Sequence, residues 1–200
     1  FIFLSGAILY IYGNYEINKN KKFLNKIEDK IYVKIISPNF NLEYGLNFEE
    51  IEKRFNKLVR YSDPDKKKKT LFIWPEGVFS GYSYREIINF KELISENFSK
   101  NHYILFGVNK LDTSSGKFYN SMIIANNNLD IVQSYNKRKL VPFGEFLPFE
   151  KFLSNFGLKK ITEGYGSFLI GKENKNIIID NLNILPLICY EVIFTDLIQK

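Results

Sequence analysis

Three residues with complementary chemistry stand just beyond the ends of predicted strands, where open α/β sheets place their sites. Cys189 follows a predicted strand at 183–188, Glu76 follows one that Pro75 cuts off, and Lys137 follows a third. A thiol becomes a nucleophile when a carboxylate whose pKa is raised by burial takes its proton. A fixed cation then stabilises the oxyanion formed on an attacked carbonyl. We predict Cys189 as nucleophile, Glu76 as base and Lys137 as the cation.

The same three residues also have ordinary structural interpretations. A lone cysteine is more often an inert core residue, and a glutamate after a strand is more often a surface or cap residue. The position of Cys189 before a predicted helix at 192–198 favours its thiolate, because a helix dipole is positive at its N-terminus. A Cys-His dyad is excluded because the single histidine, His102, opens a strand far from the other candidates.

The elements that must position these groups follow from hydrophobic periodicity. Asn47 with Glu50 three residues later predicts a capped helix whose apolar residues recur at helical spacing. A second helical pattern runs between residues 87 and 98. The predicted strands are 31–36, 70–74, 103–108, a hairpin or meander of 118–125 with 129–135, and 183–188. Strands alternating with helices predict an α/β layered domain.

The first residues differ in character from the rest of the chain. Phe1 to Tyr12 is almost wholly apolar but shorter than the about 20 residues that span a bilayer. We interpret residues 1–17 as the end of a transmembrane helix, 18–30 as a linker and 31–200 as the catalytic domain. A buried core helix is the alternative interpretation of the apolar stretch.

Composition excludes several classes of protein. The net charge of +6 over 200 residues comes from dispersed basic residues, and their one dense run, Lys66 to Lys69, is typical of a solvated loop, so we expect no nucleic-acid partner. One cysteine excludes an internal disulfide. One cysteine with one histidine makes a zinc site essentially impossible, and we expect no metal and no cofactor.

Three ordered motifs resemble the carbon–nitrogen hydrolase (nitrilase) superfamily, and most closely its membrane branch, the apolipoprotein N-acyltransferases. They are WPEG at 74–77, YNKRKLVPFGEFLP at 135–148 and ICYE at 188–191. The resemblance implies a nitrilase-like α-β-β-α sandwich that is incomplete at its C-terminus and carries the transmembrane-helix remnant. Since the family continues past the nucleophile, it also implies that the chain is a piece of a longer protein.

The resemblance assigns roles by position. Glu76, Lys137 and Cys189 match the family's catalytic base, lysine and nucleophile. Further matches are supporting residues, Glu145, Tyr190 and Glu191, and aromatic candidates for lipid contact, Tyr44, Phe143, Phe146 and Phe149. Phe143 to Phe156 would form an arm over the site, for which ordinary core packing is the alternative. Lys139 stands where the family has histidine, which alters local charge and leaves the lysine position intact.

The function implied is acyl transfer from a phospholipid, through a cysteine thioester, to the N-terminal amine of the diacylglyceryl-cysteine of an apolipoprotein. The partners implied are phospholipid, apolipoprotein and membrane, with the catalytic domain on the periplasmic side of a bacterial inner membrane. Two alternatives remain open. One is a soluble nitrilase-type amidase that uses water as acceptor, and the other is an inactive truncated remnant.

Overall fold

The computed structural model describes residues 2–24, 31–41, 43, 45–149, 166–173 and 176–198. The chain divides into two compact units, Phe1–Lys30 and Ile31–Lys200. The helices are α1 (Ile2–Leu24), α2 (Phe48–Ser62), α3 (Tyr84–Ile87), α4 (Lys91–Asn97) and α5 (Thr195–Ile198), with 3-10 turns at Ile88–Phe90 and Cys189–Ile193. The strands are β1 (Tyr32–Ile35), β2 (Thr70–Ile73), β3 (His102–Leu111), β4 (Phe118–Ala125), β5 (Ile131–Asn136), β6 (Ile177–Ile179) and β7 (Leu182–Ile184).

The described part of the amino-terminal unit is the helix α1. It is longer than the remnant predicted for residues 1–17, because it continues through Lys19 and Lys21 into the stretch predicted as linker. No helix within the described residues has both the length and the apolar character that crossing a bilayer requires.

A five-stranded mixed sheet, in the order β1-β2-β3-β4-β5, is the centre of the larger unit. The first three strands are parallel, and β3, β4 and β5 are antiparallel. The parallel pairs are joined through helices, whereas short turns join the antiparallel ones, as the two kinds of pairing require. The predicted α/β alternation is confirmed.

The helix α2 begins as the sequence predicts. The Asn47 side chain accepts a hydrogen bond from the Glu50 N–H at 3.0 Å, and the Glu50 carboxylate accepts one from the Asn47 N–H at 2.8 Å. The apolar face of α2 buries Ile51, Phe55 and Leu58 completely. This face packs with the other helices against one side of the sheet.

The opposite side of the sheet is covered by a second hairpin, β6–β7. A separate apolar cluster joins Leu71 of β2 and Ile124 of β4 to Ile177, Ile179 and Ile188. The inner strand β2 is therefore buried on both faces, which is why it reads as a continuous apolar run.

Two predicted elements of the larger unit's sheet and its covering helices differ from the structure. The helical stretch between residues 87 and 98 is interrupted by the 3-10 turn Ile88–Phe90. The last strand is Leu182–Ile184 rather than 183–188, because Pro186 lacks the N–H that a ladder needs. Its partner β6 was missed, since three residues carry too little periodicity to be recognised.

Candidate active site

Lys137 lies directly after β5 and is almost completely buried. Its backbone N–H donates to the Asn120 carbonyl at 2.8 Å, which continues the β4–β5 ladder by one residue. Its side chain is 2% exposed, and Nζ lies 3.0 Å from each carboxylate oxygen of Glu145. A buried cation requires such a partner because desolvation is costly.

Glu145 is held by donors from three parts of the chain. Besides Lys137, its Oε1 accepts from Asn120 Nδ2 at 2.6 Å and its Oε2 accepts from the Val141 N–H at 2.9 Å. The loop that carries it turns tightly, since the Glu145 N–H donates to the Val141 carbonyl at 2.8 Å and Phe143 has a φ of 62°. The carboxylate thus fixes the lysine, β4 and its own loop to one another.

A further segment closes on this loop. The Gly171 N–H donates to the Lys137 carbonyl and the Phe168 N–H to the Glu145 carbonyl, each at 2.8 Å. A Cβ on Gly171 would lie 2.0 Å from the Asn136 carbonyl oxygen. Only glycine allows the backbone to approach Lys137 this closely.

Cys189 is the exposed first residue of the 3-10 turn Cys189–Ile193. Its φ of 56° lies in the left-handed region, which is uncommon for a residue with a side chain and costs about 1 kcal/mol or more. The predicted helix at 192–198 is reduced to this turn and to α5, which is four residues long. The helix that was expected to stabilise the Cys189 thiolate through its dipole is therefore too short for that role.

Glu191 fastens the cysteine segment to the lysine segment. Its fully buried carboxylate accepts hydrogen bonds from the Tyr135 hydroxyl at 3.0 Å and from the backbone N–H groups of Arg138 at 2.8 Å, Lys139 at 3.0 Å and Ile188 at 2.8 Å. Burial, reinforced by the adjacent Glu191 charge, raises the pKa of the Tyr135 hydroxyl, which therefore stays a donor. Lys137 and Cys189 each adjoin residues held by this one carboxylate.

Tyr190, which follows Cys189 in the chain, contacts the Lys137 side chain. The Lys137 ammonium lies 5.1 Å from the centre of the Tyr190 ring, a cation–π distance. Burial raises the pKa of the Tyr190 hydroxyl, and the charges of Glu145, Glu191 and Cys189 raise it further. The structure therefore gathers the second and third motifs at one place.

Glu76 belongs to the same electrostatic environment. Its pKa is raised, chiefly by desolvation, while Lys137 lowers it and Glu145 and Glu191 raise it. Gly77, with a φ of 72°, turns the chain immediately after it. Glu76 is reached by solvent and lines a pocket of about 250 Å³ at the carboxyl ends of β1 and β2. A carboxyl group with a raised pKa is suited to accept a proton.

The sequence analysis missed Arg54, which forms another wall of this pocket. It is 7% exposed and donates to the Val78 carbonyl at 3.4 Å, the Asn41 carbonyl at 2.9 Å and the Glu43 carboxylate at 2.9 Å. Its guanidinium also lies 4.9 Å from the centre of the Phe40 ring. An arginine among the buried positions of α2 is the signal that could have revealed it.

The aromatic candidates for lipid contact have different surroundings. Phe149 is 84% exposed and Phe143 is 46% exposed, while Phe146 is half-buried. Tyr44 and the predicted arm from residue 150 onward lie outside the described residues.

His102 lies apart from this site. His102 is fully buried at the opposite end of the parallel strands, where it accepts from the Ser99 N–H and contacts the Asp65 carbonyl. Within the described ranges there is no group of three or more metal-ligating side chains.

The chain belongs to the carbon–nitrogen hydrolase family, whose sequence model matches residues 41–199. It is similar to the apolipoprotein N-acyltransferase of Rhodopseudomonas palustris, with 31% identity over 86% of this chain and 34% of the relative. It is also similar to the apolipoprotein N-acyltransferase of Brucella suis, with 30% identity over 82% of this chain and 32% of that protein. The chain thus spans about a third of the length of these curated relatives.

A solved structure supports the same fold. The Caenorhabditis elegans NitFhit protein matches with a TM-score of 0.50 and 18% identity, over 84% of this chain and 39% of that chain. The predicted nitrilase-like fold, built on a mixed β-sheet with helices, is therefore confirmed.

Proposed function

We propose that this chain is the catalytic part of an acyltransferase that moves a fatty acyl chain from a phospholipid to the N-terminal amine of an apolipoprotein. The observation that carries the proposal is the buried Lys137–Glu145 pair, whose ammonium contacts the ring of Tyr190, the residue that follows the exposed Cys189. The family and the named relatives support acyl-transfer chemistry at the level of class. The proposed location is the periplasmic side of a bacterial inner membrane.

The first half-reaction forms a thioester. Glu76 takes the proton of the Cys189 thiol, and the sulfur attacks the carbonyl of the sn-1 ester of the phospholipid. Lys137 stabilises the oxyanion of the tetrahedral intermediate. The ester C–O bond breaks, the leaving alkoxide receives the proton from Glu76, and a lysophospholipid departs.

The second half-reaction returns the enzyme to its starting state. The α-amine of the apolipoprotein's diacylglyceryl-cysteine attacks the thioester carbonyl, and Glu76 accepts a proton from the nitrogen. The C–S bond breaks, an amide remains on the lipoprotein, and the Cys189 thiolate recovers the proton. The raised pKa of Glu76 suits a group that takes and returns a proton in both halves.

The exposed aromatic side chains support a lipid substrate. Phe143 and Phe149 present apolar surface to solvent on the loop that carries Glu145. Apolar side chains in this position are able to contact acyl chains. Tyr44 is proposed for the same role on the strength of its position in the sequence.

The experiment uses the full-length gene product in detergent–phospholipid micelles. We expect Cys189→Ala and Lys137→Ala to abolish thioester formation and Cys189→Ser to leave little or none. Normal thioester formation by Glu76→Gln would refute the base assignment. Release of free fatty acid with no transfer to a lipopeptide amine would instead favour a hydrolase of the amidase kind, and no acylation in the wild type would favour an inactive remnant.

A further inference from the structure

Asn120 contacts both members of the Lys137–Glu145 pair, although no motif includes it. Its side-chain Nδ2 donates to Glu145 Oε1 at 2.6 Å, the same oxygen that receives Lys137 Nζ at 3.0 Å. Its backbone carbonyl accepts the Lys137 N–H at 2.8 Å. One residue of β4 is thereby bonded to the carboxylate and to the backbone of the lysine.

The amide is the chemical group this position needs. It donates a strong hydrogen bond to a carboxylate without adding a charge beside the ion pair. With Oε1 held by Asn120 and Oε2 by the Val141 N–H, the plane of the Glu145 carboxylate is fixed. A fixed carboxylate in turn limits where the Lys137 ammonium can lie.

We propose that Asn120 is a positioning residue that orients Glu145 and so holds the Lys137 ammonium toward Tyr190 and Cys189. The inference rests on the proposed function, in which Lys137 stabilises the oxyanion formed at Cys189. It also makes a claim independent of acyl transfer, because a cation held near Cys189 favours the thiolate.

The informative substitution is Asn120→Asp. At high pH it places a second carboxylate at hydrogen-bond distance from Glu145, and the donor is lost. Two carboxyl groups so close share a proton to a higher pH than either would alone, and the protonated Asp regains an O–H donor. The charged groups facing it are Lys137 and Glu145, with Glu76, Glu191 and Tyr190 around them.

The experiment measures two rates against pH in the full-length protein. One is thioester formation from phospholipid, and the other is iodoacetamide alkylation of Cys189, read by mass spectrometry of its peptide. We expect Asn120→Leu to slow both by about tenfold, the effect of one lost hydrogen bond to a charged group. We expect the rate of Asn120→Asp, divided by the wild-type rate, to rise as pH falls. Taking the ratio cancels protonation of Glu76.

Asn126→Asp is the matched control. Asn126 also donates from Nδ2 to a carboxylate, that of Asp130 at 3.1 Å, but it lies in the exposed turn after β4. We expect its rate ratio to be flat with pH. A flat ratio for Asn120→Asp, or wild-type rates in Asn120→Leu, would overturn the positioning role. If the wild type forms no thioester while the alkylation ratios behave as expected, the proposed function fails and the inference stands.

Discussion

The carboxylates around the site fall into two kinds. Glu145 and Glu191 each accept hydrogen bonds from at least three donors, and Glu191 is fully buried. Glu76, in contrast, is reached by solvent, and among the described residues no hydrogen bond to its carboxylate is seen. The first two join segments of the chain, whereas the third keeps its lone pairs available.

The difference separates two tasks that one residue type performs. A carboxylate whose lone pairs are occupied by N–H and O–H donors holds backbone segments in place. A carboxyl group that is partly desolvated without such donors has its pKa raised and is suited to proton transfer. Removing the negative charge should therefore destabilise the protein at Glu191 but not at Glu76.

The largest effect is expected for Glu191→Gln. The amide NH₂ would face the Ile188 N–H or the N–H groups of Arg138 and Lys139, which leaves buried donors without an acceptor. We expect a loss of about 3 kcal/mol in local unfolding free energy and a severe loss of acyl transfer. Hydrogen–deuterium exchange of the β4 and β5 peptides measures the first of these.

The matched control is Glu52→Gln on the exposed face of α2, where a similar change should leave exchange unaltered. Equal exchange in Glu191→Gln and Glu52→Gln would show that the four hydrogen bonds to Glu191 carry no stability.

A smaller effect is expected for Gly171→Ala. The new Cβ would meet the Asn136 carbonyl oxygen at 2.0 Å, so the backbone next to Lys137 must move. We expect a loss of about 2 kcal/mol and slower thioester formation. In Gly107→Ala the added Cβ would lie 4.0 Å from its nearest neighbour, and this variant should exchange as the wild type does. Unchanged kinetics in both variants would contradict the close approach at Gly171.

The third variant, Arg54→Met, tests the surroundings of Glu76, the carboxylate that is reached by solvent. It removes the donors to the Val78 and Asn41 carbonyls and the contact with Phe40, on the walls of the pocket that Glu76 lines. We expect a loss of about 1.5 kcal/mol in local unfolding free energy, measured by hydrogen–deuterium exchange of the 37–41 and 75–78 peptides. Lys53→Met, on the exposed face of α2, is the control. Exchange equal to that of the control would show that Arg54 does not hold these loops.

The sequence predicts the parts of this molecule that depend on local signals. The Asn47 capping box, the end of β2 before Pro75 and the β4–β5 hairpin depend on neighbouring residues, and each is confirmed. The three ordered motifs support the family, which the comparisons also show.

The remaining features depend on partners distant in sequence. Asn120 lies 25 residues from Glu145, and Arg54 lies 24 residues from Val78, so neither contact leaves a periodic pattern. The four donors of Glu191 are likewise visible only once the chain is folded, although the residue itself was a candidate.

The smallest effect on stability is expected for Glu76→Gln, and its pH dependence distinguishes the two kinds of carboxylate. The folded-state pKa of Glu76 is raised above the ordinary 4.5, so the stabilisation from its bound proton is fully present below the unfolded-state pKa. That stabilisation is lost as the pH rises through the folded-state pKa. We therefore expect Glu76→Gln to gain stability relative to the wild type over this interval, as hydrogen exchange at a series of pH values would measure. Destabilisation at neutral pH comparable to that of Glu191→Gln would remove the distinction, because it would mean that Glu76 also holds segments of the chain together.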